Sequence, residues 1–319
     1  MNIYVTGGSG FLGQKIIQKV SEIDLVSSVI NLDLFNSGSS EFQKIDITKI
    51  ESLRKVNFKS NDIVIHAAAR IFNDLPKRKL RKKFFDDVNY YGTLNLLDSM
   101  LYSGAKKIIF ISTDMTYGMP ISTPVDEKHP QKPIGEYGLS KLSAEKLIIS
   151  KTKNQEIKSV IFRPRVIMGS GRLGLFSKLF RNIKYNLPIP IFGEGKNRYQ
   201  FISVDDFAEA IKKALEQNIW NEIFNIGSNN SPTVAELLTH IIKVNKSKSK
   251  LIKLNGSILK STLNILDKIN ISPLYPEQYL IADCDYVLDT SKLKRTLKWE
   301  PNKSDYEILQ DAYESFLEL

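Results

Sequence analysis

Residues 1–13 read MNIYVTGGSGFLG, and this stretch decides the fold. Asn2–Thr6 is short, largely apolar and β-branched, as a strand requires. Gly7, Gly10 and Gly13 follow at G-x-x-G-x-x-G spacing, and Phe11, Leu12, Ile16, Ile17 and Val20 then recur at helical spacing. A strand that turns sharply into a helix is a phosphate-binding device. The helix start offers unpaired N–H groups and a positive dipole end, and the glycines let a pyrophosphate approach the backbone. Residues 26–33 (VSSVINLD) predict a second strand ending in Asp33, 20 residues beyond Gly13, where a βαβ nucleotide unit carries its ribose-binding acid. A glycine-rich turn followed by a surface Asp is the competing reading. The order strand, turn, helix, strand, acid favours a dinucleotide site. A carboxylate at Asp33 accepts from a ribose 2′-OH and repels a 2′-phosphate, and residues 34–37 (LFNS) bring no Arg or Lys, so NAD is favoured over NADP.

Working outward, strands and helices alternate, which predicts an α/β, doubly wound parallel sheet (a Rossmann fold) with a smaller, mostly C-terminal substrate domain. Strands are expected at 42–47, 62–67, 107–113 and 159–162, and helices at 80–102 and 137–153. Beyond Arg165 the pattern changes. It predicts a helix at 175–185, an extended Ile189–Phe192, a helix at 205–217, a strand at Glu222–Ile226, helices at 233–244 and 256–269, and a polar, proline-bearing tail. The expected division is 1–164 with about 201–228 as the NAD-binding domain, and about 165–200 with 229–319 as a discontinuous substrate-binding domain. The cleft should open at the carboxyl ends of the strands.

A chain of 319 residues with 42% apolar content can bury a full core. The first strand starts at residue 2 with no leader evident before it, and no apolar run is long enough to span a bilayer. The single cysteine, Cys284, precludes an internal disulfide, and His66, His129 and His240 lack metal-ligand spacing. The expectation is a cytoplasmic protein without a metal, a nucleic-acid partner or a membrane partner. The net charge is +10, and 77–83 (KRKLRKK) holds six basic residues in seven. Such a run serves nucleic acid, anionic lipid or a phosphorylated ligand, or is a solvated helix start; aromatic residues do not interleave with it as base stacking requires.

The strongest chemical signal is Tyr137 and Lys141 in YGLSK. Four residues apart on a helix, they share a face. An ammonium beside a phenol favours the phenolate, and a tyrosine so tuned takes a proton from an alcohol as hydride leaves, or returns it. Thr113, at the end of a strand in ISTDMTYG, offers a hydroxyl to the same substrate oxygen. His66 reads as a packed core residue rather than a base, and Cys284 as inert.

In these features the chain resembles the extended short-chain dehydrogenase/reductases of the NAD-dependent epimerase/dehydratase family. The matching residues are TGGSGFLG (6–13), Asp33, Asp46-Ile47, HAAA (66–69), Asn89 with GTLNLL (92–97), STDMTYG (112–118), YGLSK (137–141), RP (163–164), FGEG (192–195), VDD (204–206) and FNIGS (224–228). The resemblance implies a pyrophosphate site at Gly7, Gly10, Phe11, Leu12 and Gly13, adenosine contacts from Asp33, Asp46 and Ile47, and a cofactor trough lined by Ala67 and Ala68. It implies that Asn89 and Pro164 support the cofactor region and that Tyr137 and Lys141 touch it. Thr113, Tyr137 and Lys141 match the catalytic set, and a homodimer acting on a nucleotide-linked sugar is the family expectation.

Three departures narrow this. Dehydratases of the family carry Asp-Glu after the Thr, whereas here the pair is Asp114-Met115, and a thioether cannot take a proton. Val166 stands where nucleotide-sugar enzymes tend to have Asn, and Tyr199 where many have a diphosphate-clamping Arg, with Arg198 displaced by one. Arg165, Arg172 and Arg198 are the cations available to supply that charge, and Arg70, Asp114 and Met115 are further candidates for the substrate side. The favoured reading is a nucleotide-sugar epimerase working through a transient ketone. The alternatives are a net ketoreductase or alcohol dehydrogenase, on a sugar or a hydroxysteroid- or flavonol-like substrate, and a non-catalytic NAD sensor, which would need neither Tyr137 nor Lys141.

Overall fold

The computed structural model describes residues 1–39, 41–73, 75–171 and 176–318. Its strands are β1 (Asn2–Thr6), β2 (Ser28–Asp33), β3 (Phe42–Lys44), β4 (Ile63–His66), β5 (Lys107–Ile111), β6 (Lys158–Pro164), β7 (Val166–Met168), β8 (Ile189–Phe192), β9 (Phe201–Ser203), β10 (Glu222–Ile226) and β11 (Leu251–Leu254). Seven of them form one parallel sheet in the order β3-β2-β1-β4-β5-β6-β10. The winding direction reverses at β1, where Thr6 stands opposite Leu32 of β2 on one side and His66 of β4 on the other. At such a reversal the loops leaving neighbouring strands diverge to opposite faces and open a crevice. Gly7, Asp33, Ala67 and Ser112 follow or end these strands, so all four regions meet at that edge.

The strands are apolar on both faces because helices cover both. On one face Ile3, Val5, Ile65, Ile109 and Phe162 pack against helices Phe11–Val20 and Val204–Glu216, and Leu293, Leu297 and Trp299 join them. On the other, Tyr4, Leu32, Val64, Ile108 and Phe110 meet helices Thr93–Tyr102 and Glu136–Lys153. Each fully buried side chain of this size contributes about 1.5–3 kcal/mol. A third core, including Met168, Phe180, Ile191, Phe201, Leu237 and Leu309, lies among β7–β9, β8's partner β11, and helices Ser177–Lys184, Val234–Val244 and Asp305–Leu317. Among the described residues no helix is long and apolar enough to cross a membrane.

Two expectations need correction. The helix expected at 80–102 is interrupted: Arg81–Phe85 leads into a π-helical turn, Asp86–Gly92, before Thr93–Tyr102. The wider turn lets Asn89 point inward, and Gly92 sits against the Ile47 side chain, 2.8 Å from where a Cβ would be. The tail is not merely polar. Ser304 and Glu307 form a capping box that starts helix Asp305–Leu317, whose Ile308, Leu309, Ala312 and Tyr313 are buried in the third core. β7, β9 and β11 also escaped the reading, being three or four residues long. The helix expected at 175–185 is seen as Ser177–Lys184; Leu175 lies outside the described residues.

Candidate active site

The glycine turn after β1 is built for close approach. Gly7 has φ +70°, and a Cβ on it would lie 2.7 Å from the Ala68 backbone. On Gly13 a Cβ would lie 2.0 Å from the Gly7 carbonyl oxygen, so both positions exclude any larger residue. Gly10 is exposed, donates its N–H to Gly7 O at 3.0 Å, and starts helix Phe11–Val20 with no side-chain cap. Leu12 is buried in the first core, and Phe11 is half-buried beside it. Asp33 closes β2 and accepts the N–H groups of Ser9 (3.0 Å) and Leu34 (2.6 Å), which aims its carboxylate at the same turn. Ala67 and Ala68 donate to Thr6 O (3.1 Å) and Thr6 Oγ1 (3.3 Å), forming the other wall. Farther out, Asp46 Oδ1 accepts from Thr48 N–H (3.0 Å), and Ile47 is buried against Gly92. Pro164 ends β6 opposite Ile226.

Lys141 reaches the end of β5, and Thr113 stands two residues beyond its partner Ile111. Lys141 Nζ donates to Ile111 O at 2.6 Å and lies 4.1 Å from the centre of the Phe110 ring. Burial pushes Lys141 down to about 7, and Glu145, one helical turn on, opposes that. Thr113 is buried, accepts the Met115 N–H at 3.2 Å and donates to Asp114 Oδ1 at 3.1 Å. Tyr137 stands one turn before Lys141 on helix Glu136–Lys153, with its ring against Phe72 (5.0 Å) and Phe85 (5.6 Å). Ser140 ties the helix to the π-turn: its hydroxyl donates to Tyr137 O at 2.7 Å and accepts from Asn89 Nδ2 at 2.9 Å. Asn89 also holds the Arg70 N–H (2.8 Å) and carbonyl (3.1 Å), which fixes the loop after β4. His66 lies between Thr6 Oγ1 (2.7 Å) and Thr93 Oγ1 (2.9 Å), and burial drives it down to about 3, as a neutral core residue.

The substrate-side candidates are dispersed. Arg165 and Asp114 are both buried and pair with each other at 2.6 Å, with Arg165 also 4.4 Å from the centre of the Tyr286 ring. Arg198 pairs with Asp285 at 2.7 Å near the surface, and Arg172 lies outside the described residues. The Arg70 side chain is exposed over the Phe84 ring, and Met115 is half-buried next to Thr113. The basic run is largely committed to internal partners: Arg81 pairs with Asp267 at 2.7 Å, Lys83 with Asp87 at 2.7 Å, and Lys82 with Asp86. Among the described residues no group of three His, Cys, Asp or Glu side chains is arranged to hold a metal ion.

Two acids that anchor helix Glu136–Lys153 escaped sequence reading. Glu145 is fully buried, pairs with Arg163 at 2.7 Å, and accepts from Gln131 (2.8 Å) and from the Ser112 hydroxyl. Glu145 repeats the spacing of Tyr137 and Lys141 once more, at i+8, and that repeat was the available signal. Glu277 accepts the Tyr137 N–H at 2.9 Å, and burial raises it to about 7. It comes from a segment 140 residues away, so no local pattern announces it.

Residues 3–227 match the model of a family described as NAD-dependent epimerase/dehydratase. A putative UDP-glucose 4-epimerase of Methanocaldococcus jannaschii is 35% identical over 249 residues, 74% of this chain and 79% of that one. The mouse dTDP-D-glucose 4,6-dehydratase is 29% identical over 260 residues, 76% of this chain and 73% of that one. The crystal structure of a Thermotoga maritima UDP-glucose 4-epimerase with UDP-glucose superposes with a TM-score of 0.78 at 26% identity, covering 100% of this chain and 99% of that one.

Proposed function

Because the chain belongs to the NAD-dependent epimerase/dehydratase family and is an NAD-using enzyme of that family, we propose that it inverts one carbon of a nucleotide-linked sugar through a transient ketone. The observation that carries this reading is Lys141, buried on the Tyr137 helix with Nζ fixed to Ile111 O, two residues before Thr113. Tyr137 takes the proton of a ring hydroxyl and later returns it. The Lys141 ammonium favours the phenolate, and the Thr113 hydroxyl shares the substrate oxygen.

The turn suits NAD, since only glycine at positions 7 and 13 lets its backbone fold this tightly against Ala68 and the Gly7 carbonyl, and no side chain caps the helix behind Gly10. Gly7, Gly10, Phe11, Leu12 and Gly13 would hold the pyrophosphate. Asp33, Asp46 and Ile47 would hold the adenosine, and Ala67 and Ala68 the trough. Asn89, Tyr137, Lys141 and Pro164 would border the nicotinamide half. When bound, NAD accepts and returns hydride. In this reading 1–164 with about 201–228 form the cofactor half, and about 165–200 with 229–319 the substrate half.

Dehydration is disfavoured: Met115 cannot move a proton, and Asp114 is committed to Arg165. That same commitment removes Arg165 as a diphosphate clamp, which favours a second reading, net oxidation or reduction of a less charged alcohol or ketone. The two readings part on cofactor balance. The NAD-loaded protein given UDP-glucose is expected to form UDP-galactose with no net change in absorbance at 340 nm. Steady accumulation of reduced cofactor would overturn the epimerase reading in favour of net oxidation, and reduced cofactor formed with an uncharged secondary alcohol but not with UDP-glucose would establish the second reading.

Asp33→Ala is expected to weaken NAD binding about 10- to 100-fold, the loss of charge-assisted hydrogen bonds to the ribose. Titration calorimetry measures it, and unchanged affinity would remove Asp33 from the site.

A further inference from the structure

Helix Glu136–Lys153 begins without a cap of its own. Its N-cap residue is Gly135, which has no side chain to accept the N–H groups of the first turn. The acceptor comes from the C-terminal segment instead: Glu277 Oε1 takes the Tyr137 N–H at 2.9 Å. Glu277 is 5% exposed, and its second oxygen, Oε2, has no hydrogen-bond partner among the described residues. Its neighbour Tyr275 stacks on Phe72 at 5.9 Å, the ring that packs on Tyr137.

Two glycines make room for this arrangement. A Cβ on Gly135 would lie 2.2 Å from Glu277 Oε1, and one on Gly138 would lie 2.6 Å from Met115 O. The helix start is therefore wedged between Glu277 on one side and the turn that carries Thr113 on the other. The charged groups around the carboxylate are Arg81, itself paired with Asp267, and Glu136.

We propose that Glu277 is a positioning residue for Tyr137: by holding the Tyr137 backbone N–H it sets where the phenol meets Thr113 and Lys141. A cap from the helix's own sequence would satisfy the same donor locally. A cap from the C-terminal segment also ties the register of the catalytic helix to the substrate side of the molecule. The inference rests on the reading of Tyr137 as the proton-transferring group.

A double-mutant cycle tests it, with UDP-glucose and NAD as probes. Because small misplacements of a reacting group cost up to about 100-fold, Glu277→Ala is expected to lower kcat roughly 10- to 100-fold. The KM for UDP-glucose should stay within about twofold in the same variant. Glu277→Gln keeps an oxygen acceptor in place and should recover most of kcat. Gly135→Ala pushes the carboxylate away, so it should reproduce the loss in the native background and add nothing in the Glu277→Ala background. Hydrogen exchange of the peptide spanning Tyr137 and Gly138 reads the contact without substrate: faster in Glu277→Ala, native in Glu277→Gln.

Native kcat in Glu277→Ala, a change confined to KM, or additive losses in the cycle would overturn the proposal. If Glu277→Ala does not fold, Gly135→Ala with Glu277→Gln decides: lost kcat in the first and retained kcat in the second support it, and native kcat in the first overturns it. Full activity of Tyr137→Phe would instead sink the reading on which the proposal rests. In that event exchange still decides whether Glu277 holds the helix start, and native rates in Glu277→Ala would refute the contact.

Discussion

Tyr137→Phe is expected to lower turnover of UDP-glucose by about 100- to 10,000-fold, the range over which a positioned acid–base group acts. NAD affinity should stay within a few-fold. The substitution removes one oxygen and little else. The ring keeps its contacts with Phe72 and Phe85, the backbone N–H keeps Glu277, and the backbone carbonyl keeps Ser140. Lys141 remains fixed to Ile111 O, so the helix should not move. Loss of kcat with preserved cofactor binding therefore isolates the phenol. Turnover at the native rate would remove Tyr137 from the chemistry, and a matching collapse of NAD affinity would mean that the phenol serves cofactor binding rather than proton transfer.

Glu145→Ala is expected to destabilise the protein by about 3–5 kcal/mol, because it leaves the Arg163 guanidinium buried and uncompensated. The pair is enclosed: the two side chains are 3% and 0% exposed. Arg163 also donates to Tyr117 Oη at 2.9 Å, and Tyr117 Oη in turn donates to Asn225 Oδ1 at 2.7 Å. The network joins helix Glu136–Lys153 to β6 and β10, so it holds that helix on the sheet. Replacing both members, with Glu145→Leu and Arg163→Met, should recover most of the loss, since the unpaired charge goes with the pair. Equilibrium urea unfolding followed by circular dichroism measures both. A loss under about 1 kcal/mol for Glu145→Ala would show that water or another group takes over the guanidinium.

The parts of the molecule legible in its sequence are those written in local pattern. Asn2–Thr6, Ile189–Phe192 and Glu222–Ile226 are found at the expected bounds, since apolar runs between turn residues predict strands. The reversal at β1 follows from the glycine turn and its acid. Helix Glu136–Lys153 is harder to read, because the side it buries mixes polar and apolar residues: Tyr137, Ser140, Lys141 and Glu145 are buried along with Leu142, Ala144 and Ile148. Hydrophobic periodicity registers such a face only weakly; the Tyr137–Lys141 spacing marks it. The pairing of Arg165 with Asp114 and the capping of Tyr137 by Glu277 span 51 and 140 residues. No spacing rule reaches that far, so a cation that reads as a substrate clamp turns out to be held by a neighbouring acid. The tail from Ser291 onward is opaque for another reason: its two helices are rich in charge, and their apolar residues make sense only once distant cores exist, the first for Leu293 and Leu297 and the third for Ile308 and Leu309.

In the proposed reaction hydride leaves and returns to the same sugar carbon while Tyr137 moves the proton. This is tested most directly by letting the NAD-loaded protein convert UDP-glucose in D2O and reading the product by proton NMR. UDP-galactose is expected with hydrogen, not deuterium, on the inverted carbon, because the transferred hydride does not meet solvent. Deuterium at that carbon, or no product from protein that demonstrably holds NAD, would contradict it.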